Sequence, residues 1–353
     1  PQAVPVRIVQ LPVRPDVPRF DVGGPVIASD LAVVSSSQFG FIAFDWRTAT
    51  LAWTKPAGVR VAPPVAVSDP VAGDAVALVG DCTAPIDVPE GHDLLGCLRL
   101  VTLAGSDRAY IAIHGASATV RAFVTAPGLQ DMWIDGEHAI RWRRGDQAVV
   151  VDLVSGIATP TSAKPPPVRV TYKDRTWDIE RTEERIIARL VTATGSTEAW
   201  TTKHPYTALL GAVWLPEHSP MIRVTRVGPW GGIPEVNLLD IDATGSLHGQ
   251  AAFPVPGISV LGSGISRFGD VALAVRLDKS IQRDFIAGYA ANALMMWVYP
   301  LPVVPRADPV GVAIAPDAVV VFHDGDTVTI LPELSAPPTA AGGGRPASEI
   351  PTP

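Results

Sequence analysis

The chain consists largely of short apolar runs, rich in Val, Ile, Leu and Ala, that are separated by Gly, Pro and Asp. Residues 25–35 hold two such runs with a break at Asp30, and residues 39–44 hold a third. Short apolar runs between turn residues predict β-strands. Nowhere do apolar residues recur at helical spacing over about a dozen positions. We therefore predict an all-β fold without a secure helix, in which segment 180–190 fits a helix or a strand.

Two β-hairpins are predicted from the residues of their turns. The runs 319–322 and 327–331 flank an Asp-Gly pair at 324–325, which supplies the positive φ angles of a tight turn. Residues 133–142 repeat the arrangement. The Arg-Gly-Asp tripeptide at 144–146 matches a sequence read by some cell-surface receptors, but we interpret it as a turn, because turn chemistry explains it fully.

The segment 43–53 carries the most specific pattern in the chain. It reads Ala-x-Asp-x-x-Thr-x-x-x-x-Trp, with Ala43, Asp45, Thr48 and Trp53 at the fixed positions. The residue after the threonine is an alanine, where the full pattern has a glycine. A pattern of this kind describes one turn and the strand that follows it.

Weaker copies of the same turn recur along the chain. One copy keeps Asp152 and Gly156, a second keeps Gly195 and Trp200, and a third keeps Gly245. The copies lie about 40 to 55 residues apart, which is the length of one four-stranded propeller blade with its connections. The alternative is a β-sandwich whose turns match the pattern by chance.

The pattern of residues 43–53 resembles the blade repeat of the quinoprotein (pyrroloquinoline-quinone-like) β-propeller family. The resemblance implies that Asp45 and Thr48 cap a tight turn and that Trp53 packs between neighbouring blades. Enzymes of this family hold a quinone cofactor and a calcium ion, and many carry two adjacent cysteines. This chain has no adjacent cysteines and one good copy of the repeat. It therefore resembles the non-enzymatic branch, and we assign no catalytic, cofactor-binding or metal-binding residues and no cofactor.

Length and composition fit a single large β domain. The chain has 353 residues, of which 47% are hydrophobic and 18% are charged, so it can bury a sizeable core. We predict one β-propeller domain of about seven four-stranded blades over residues 1–338. Residues 339–353 form a Pro/Gly/Ala-rich tail, a composition that cannot fold alone.

The two ends of the chain predict how the propeller closes. Residues 6–13 form a strand-like segment before the first full blade, whereas the last blade, around residues 311–334, is short of one strand. Propellers avoid exposed strand edges by completing the last blade with a strand from the other end of the chain. We therefore predict that the N-terminal strand closes the ring.

The two cysteines are predicted to form a disulfide. Cys82 follows the apolar run 75–80 and Cys97 opens the run 97–102, and the two runs suit a hairpin. Two unrelated buried thiols are the alternative. The chain begins at Pro1, which we interpret as the result of removing an export signal. We therefore expect a secreted, periplasmic or cell-surface protein.

Charge and hydropathy argue against two classes of partner. The net charge is −7, and no basic cluster is present, so nucleic acid is not an expected partner. No segment reaches the roughly 18 to 20 uninterrupted apolar residues of a membrane span. Residues 285–300 come closest, and we predict a loop at 285–294, packed on the core, that leads into a buried strand at 295–299. The alternative is an exposed loop that docks a partner.

Candidate chemistry is sparse. The seven histidines include no pair at the spacing of a helical zinc site. Five aspartates are candidates for a carboxylate pair at the central channel of the propeller, and we interpret them as turn residues: Asp81, Asp93, Asp135, Asp240 and Asp242.

We predict an extracytoplasmic interaction scaffold or structural subunit of a larger assembly, with protein partners and without catalysis. The alternatives are a carbohydrate-binding or carbohydrate-cleaving propeller and a relic of a quinone-dependent dehydrogenase. Function resides in surface sites that are added to a fold, so the repeat pattern alone does not choose between them.

Overall fold

The computed structural model describes residues 6–11, 22–36, 38–58, 61–69, 73–128, 130–136, 138–172, 175–181, 186–192, 194–201, 208–215, 221–230, 233–242, 247–254, 259–265, 271–276, 284–289, 295–301, 309–323 and 327–332. These residues form 28 β-strands and one α-helix. They group into two compact units. One contains Ile8–Pro166 with Asp324–Ile330, and the other contains Pro1–Arg7, Pro167–His323 and Leu331–Pro353.

The first unit contains three antiparallel sheets, each built from four consecutive strands. The first sheet holds β2 (Val22–Ala28), β3 (Leu31–Ser36), β4 (Gly40–Asp45) and β5 (Thr50–Lys55), the second holds β6 (Val65–Asp69), β7 (Gly73–Gly80), β8 (His92–Thr102) and β9 (Asp107–Ala116), and the third holds β10 (Gln130–Ile134), β11 (Ala139–Arg144), β12 (Gln147–Asp152) and β13 (Ala158–Thr161). The helix α1 (Ser117–Thr125) connects β9 to β10.

The second unit repeats this design. The fourth sheet holds β14 (Val168–Tyr172), β15 (Arg175–Arg181), β16 (Ile186–Thr192) and β17 (Gly195–Thr201), the fifth holds β18 (Ala208–Leu215), β19 (Met221–Trp230), β20 (Ile233–Asp242) and β21 (Leu247–Pro254), and the sixth holds β22 (Ser259–Ile265), β23 (Val271–Arg276), β24 (Asp284–Tyr289) and β25 (Met295–Pro300). Every pairing reported for these sheets is antiparallel and joins strands that follow each other in the chain.

The seventh sheet contains the first strand and the last three strands of the chain. Its order is β1 (Arg7–Gln10), β28 (Thr327–Pro332), β27 (Ala318–His323) and β26 (Pro309–Ala315). The side-chain amide of Gln10 donates a hydrogen bond to Thr327 Oγ1 at 3.3 Å. The N-terminal strand thus completes the last sheet, as predicted. The turn at 324–325 and the tail at 339–353 lie outside the described residues.

Seven four-stranded sheets that follow one another along the chain define an all-β propeller, which confirms the predicted fold class. The inner strands β3 and β27 are buried on both faces, since all six residues of each are buried. The outer strand β5 differs, because Trp53 is its single buried residue. Burial on both faces explains why β3 and β27 have largely apolar runs rather than alternating apolar and polar residues, whereas the inner strand β11 alternates.

The core between the second and third sheets is built around a tryptophan. Trp142 is 2% exposed, and its indole Nε1 donates a hydrogen bond to Gln130 Oε1 at 2.7 Å. Phe123 of α1 contacts the indole edge-on, with ring centroids 4.8 Å apart. The same cluster includes residues from the neighbouring strands: Leu98, Ile113, Val149 and Val151.

Two predictions about secondary structure are wrong. The helix α1 was not predicted, because its nine residues are too short for a helical pattern over about a dozen positions. It forms where Val120 and Phe123 are buried, three residues apart on one helix face. Residues 285–289 were predicted as part of a loop but belong to the strand β24, in which Ile286 pairs with Ala274 of β23.

The ambiguous segment 180–190 belongs to strands β15 and β16, with residues 182–185 outside the described part. Among the helices of the described residues, none has the length and apolar character needed to cross a membrane.

Candidate functional site

The turn between β4 and β5 is held by the side chain of Asp45. Its Oδ1 atom accepts hydrogen bonds from the backbone N–H groups of Arg47 at 2.7 Å and Thr48 at 2.9 Å. The N–H of Ala49 donates to the backbone carbonyl of Asp45 at 2.8 Å. The carboxylate satisfies backbone donors that lie two and three residues further on, which is the way aspartate stabilises tight turns.

The turn between β12 and β13 has the same hydrogen bonds. Asp152 Oδ1 accepts from the N–H groups of Val154 at 3.0 Å and Ser155 at 2.6 Å, and the N–H of Gly156 donates to the Asp152 carbonyl at 2.9 Å. The Ser155 hydroxyl donates to the same carboxylate at 2.8 Å. The hydrogen bonds from Ser155, first from its backbone and then from its side chain, lower the pKa of Asp152.

The fourth residue after the aspartate has a left-handed backbone conformation in both turns. Ala49 has a φ of 61° and Gly156 a φ of 73°. At Gly156 a Cβ atom would also overlap the carbonyl oxygen of Ala112 and lie 2.8 Å from Ile111 Cγ2. Gly156 is therefore required both by its backbone and by the close approach of β9, whereas Ala49 carries a backbone cost that a glycine would remove.

Exchanging the two residue types is expected to have opposite effects on stability. Gly156→Ala should lower the free energy of unfolding by at least about 2 kcal/mol, because a left-handed L-residue costs roughly 1–2 kcal/mol before any clash is counted. Ala49→Gly should raise it by about 0.5–1 kcal/mol, since the gain in the turn exceeds the entropy that glycine adds to the unfolded chain. Urea unfolding of both variants and the wild type measures the difference. Shifts of the same sign would contradict this account of the two turns.

Trp53 packs between the first and second sheets. It lies opposite Ala43 in the β4–β5 pairing, next to a register shift between Ala43 and Phe44. Its indole Nε1 donates to the carbonyl of Leu103 at 3.2 Å. A Cβ atom on Gly105 would lie 2.9 Å from Trp53 Cγ, so the indole rests directly on the backbone of the turn between β8 and β9.

The fourth sheet repeats this register without the aspartate. Trp200 lies opposite Ala188, and the pairing shifts between Ala188 and Arg189, as it does beside Trp53. Gly195 begins β17 with a φ of 136°, and its carbonyl accepts a hydrogen bond from Thr192 Oγ1 at 2.7 Å. The sequence pattern indicated the tryptophan, but the shared register is visible only in the backbone. Gly245 lies outside the described residues.

The predicted disulfide between Cys82 and Cys97 is present, with Cα atoms 4.9 Å apart. It joins the residue that follows β7 by two positions to the strand β8, in which Cys97 pairs with Gly80. The bond fixes the start of the segment 83–91, which connects the two strands. A closed loop of about fifteen residues stabilises the fold by roughly 3 kcal/mol in the chain-entropy account.

A polar cluster beside the disulfide was not predicted. Arg99 lies over the ring of Tyr110 at 4.8 Å and donates hydrogen bonds to Thr83 Oγ1 at 2.8 Å and to Asp107 at 3.2 Å. The N–H of Thr83 donates to the Tyr110 hydroxyl at 2.7 Å. Burial would raise the pKa of Tyr110, but the hydrogen bonds from Thr83 and the charge of Arg99 outweigh it, so the pKa is lowered. The cluster ties the segment after Cys82 to β8 and β9.

The third sheet exposes three large apolar side chains at one end. Val154 is 77% exposed, Ile134 is 49% exposed and Ile157 is 42% exposed. Ile134 ends the strand β10, and Val154 and Ile157 lie in the turn that follows β12. A hydrogen bond from the N–H of Leu153 to the carbonyl of His138 at 2.9 Å joins this turn to the segment that follows β10. We refer to Ile134, Val154 and Ile157 as the apolar rim. Large exposed apolar residues that occur together are a feature of interaction surfaces.

The densest group of basic residues in the sequence is Arg141, Arg143 and Arg144 of β11. Their side chains form ion pairs and hydrogen bonds with nearby residues of the protein. Arg141 forms an ion pair with Asp135 at 2.7 Å, and Arg143 forms one with Asp131. Arg144 donates through Nε to the carbonyl of Ala126 at 2.9 Å. Asp135, one of the five candidate carboxylates, is therefore a partner of Arg141. In the described part of the chain, no three His, Cys, Asp or Glu side chains group closely enough to hold a metal ion.

Comparison with known proteins finds similarity to solved structures at low sequence identity. No protein-family model matches it, and no curated protein matches it. It is similar to Hsv2 of Kluyveromyces lactis, with 10% identity and a TM-score of 0.47 over 87% of this chain and 90% of that chain. It is also similar to BamB from Moraxella catarrhalis, with 12% identity and a TM-score of 0.43 over 92% of this chain and 100% of that chain. Similarity at this level carries no argument about function, and the class of β-propeller rests on the strand order.

Proposed function

We propose that this chain is a non-catalytic β-propeller that acts as an interaction scaffold in a protein assembly outside the cytoplasm. The observation that carries the proposal is the apolar rim, whose three side chains are between 42% and 77% exposed. Burying one Val or Ile side chain at an interface contributes about 1.5–3 kcal/mol. A protein partner that covers the rim would gain from each of the three residues the part of this energy that its exposed fraction represents.

The turn that carries Val154 is suited to this role because its backbone is held in place. Its N–H donates to Asp152 Oδ1 at 3.0 Å, and the neighbouring Gly156 is packed against Ala112. A side chain on an ordered backbone loses little conformational entropy when a partner binds. The rim is therefore a preorganised surface rather than a flexible loop.

The Cys82–Cys97 disulfide supports an extracytoplasmic location. Disulfides persist in oxidising compartments, whereas cytosolic thiols are kept reduced. We propose a secreted, periplasmic or cell-surface protein. We also propose that residues 1–338 form one propeller domain, followed by the Pro/Gly/Ala-rich tail 339–353.

We further propose membership of the non-enzymatic branch of the quinoprotein-like repeat family. Two features support it. The turns at Asp45 and Asp152 have the same hydrogen bonds, and Trp53 and Trp200 have the same strand register. These features belong to the blade repeat, so they support the family rather than a particular partner.

The proposal is tested on complexes isolated from the cells that produce the protein. The double variant Ile134→Asp with Val154→Asp is expected to reduce recovery of the cross-linked partner at least about tenfold, as for residues at the centre of an interface. Leu51→Asp is the matched control, because Leu51 is 59% exposed on a different sheet. All variants should melt as the wild type does, since the changed residues are exposed.

Two outcomes contradict the scaffold role. One is a protein that runs as an isolated monomer in native preparations and forms no cross-link to another chain. The other is equal loss of the partner in the double variant and in Leu51→Asp, which would assign the contact to general surface hydrophobicity rather than to the apolar rim.

A further inference from the structure

We propose that His92 and His114 form a binding site for a divalent transition-metal ion. This inference goes beyond the scaffold role and does not depend on it. The two histidines are 22 residues apart in the sequence, and the pairing of strand β8 with strand β9 brings them together.

The strand register places both histidines on one face of the second sheet. His92 lies opposite Ala116, and His114 lies two residues before Ala116 on the same strand. Side chains two residues apart on a strand point to the same face, so His92 and His114 are diagonal neighbours across an antiparallel pair. Their ring centroids are 5.1 Å apart, with an angle of 49° between the ring planes.

This separation matches two imidazoles bound to one ion. With a metal–nitrogen bond of about 2.1 Å and a tetrahedral angle at the metal, the ring centroids of two bound imidazoles lie about 5 Å apart. The observed distance of 5.1 Å between the ring centroids agrees with this value.

Two ring nitrogens of the pair have no hydrogen-bond partner in the protein. His114 is 9% exposed, and the Nδ1 atoms of both histidines are buried without a hydrogen-bond partner. Buried polar atoms in folded proteins almost always have a partner, because an unsatisfied one costs about 1–3 kcal/mol. Two such atoms on adjacent rings provide ring nitrogens that no protein group occupies.

The ligand chemistry selects the class of ion. Imidazole nitrogen suits Zn²⁺, Ni²⁺ and Cu²⁺, whereas Ca²⁺ and Mg²⁺ require oxygen ligands. No third His, Cys, Asp or Glu joins the pair among the described residues, so the two imidazoles are the side-chain ligands of the site. Such a site binds more weakly than a closed four-ligand structural site, and its affinity should be highest for Cu²⁺.

The test is a titration of the full chain, free of any histidine tag, with ZnCl₂, NiCl₂ and CuCl₂ by isothermal titration calorimetry. We expect one ion per chain with the affinity order Cu²⁺ above Ni²⁺ and Zn²⁺, and no binding of CaCl₂ or MgCl₂. The melting temperature should rise with ZnCl₂ and return to its original value with EDTA, because an ion that binds only the folded state stabilises it.

Variants that replace the imidazole with a phenyl ring keep an aromatic side chain but remove the ring nitrogens, so they identify the metal ligands. His92→Phe and His114→Phe should each weaken Zn²⁺ binding at least about tenfold, since even partners that only support a ligand are worth 10- to 100-fold. His138→Ala is the control, because His138 is exposed in the turn after β10, and it should bind as the wild type does.

A measurement on the wild type covers the case in which a variant does not fold. Substoichiometric Cu²⁺ should broaden the ring signals of His92 and His114 in proton NMR before those of the other histidines. Absence of binding in the calorimeter, broadening centred on other histidines, or unchanged affinity in a folded His92→Phe variant would overturn the site and leave the pair as ring packing alone.

Discussion

Trp53→Ala is expected to lower the free energy of unfolding by about 3 to 5 kcal/mol, as for other aromatic deletions in a packed core. The side chain is 9% exposed, rests on the backbone of Gly105 and donates a hydrogen bond to Leu103. Removing it leaves a cavity between the first and second sheets and an unpaired carbonyl. Equilibrium unfolding in urea measures the loss. It is followed by far-ultraviolet circular dichroism, which reports on the backbone rather than on tryptophan fluorescence.

Trp53→Phe is the matched control for this prediction. It keeps an aromatic ring against Gly105 but removes the indole Nε1 donor to the Leu103 carbonyl. Its cost should be smaller, near the 1–3 kcal/mol of an unsatisfied buried acceptor and a modest loss of volume. If Trp53→Ala unfolds at the same urea concentration as the wild type, the indole does not hold the two sheets together.

Deleting residues 1–11 is expected to destabilise the protein by about 5 kcal/mol and to make it self-associate. The deletion removes β1, the strand beside β28 in the seventh sheet, together with Leu11, which is 6% exposed. The estimate combines a few strand hydrogen bonds of about 1 kcal/mol each with the burial of Leu11, worth about 1.5–3 kcal/mol. The unpaired edge of β28 is then a template for other chains. Thermal melting and light scattering measure the two effects.

Gln10→Ala separates the strand from its side-chain contact. This variant keeps β1 and removes only the hydrogen bond to Thr327, so its cost should be about 1 kcal/mol, without aggregation. A truncated protein that melts at the wild-type temperature and stays monomeric would show that β1 is not needed to cover the edge of β28.

Much of the local structure followed from the sequence because its causes are local. The runs at 25–35 and 39–44 form β2, β3 and β4, and the break at Asp30 is a turn. The turn at Asp45 depends on hydrogen bonds that span two to four residues, so the pattern of one short segment is sufficient to predict it. The disulfide could be expected for a similar reason, since each cysteine adjoins a strand of one hairpin.

The prediction failed where burial rather than a local pattern decided the structure. The helix α1 is short and has no side-chain cap at its N-terminus, and it is held by Val120 and Phe123 against the core. β24 contains a glycine and an alanine side by side, and its backbone pairs on both sides, with β23 and with β25. In both segments tertiary packing overrides a weak intrinsic preference.

The sequence by itself determined the class of the fold. Apolar runs and turn residues are local features of the chain, and the spacing of about 40–55 residues at which they recur can be counted along the sequence. Tertiary structure decided which distant side chains meet. The ring contact of His92 with His114 depends on the register of β8 and β9. Register is set by the packing of whole sheets, and a shift of one residue would turn one of these side chains to the opposite face of its sheet. The contact of Arg99 with Thr83 and the exposure of the apolar rim depend on how the connecting segments fold onto the strands, which the local pattern does not contain.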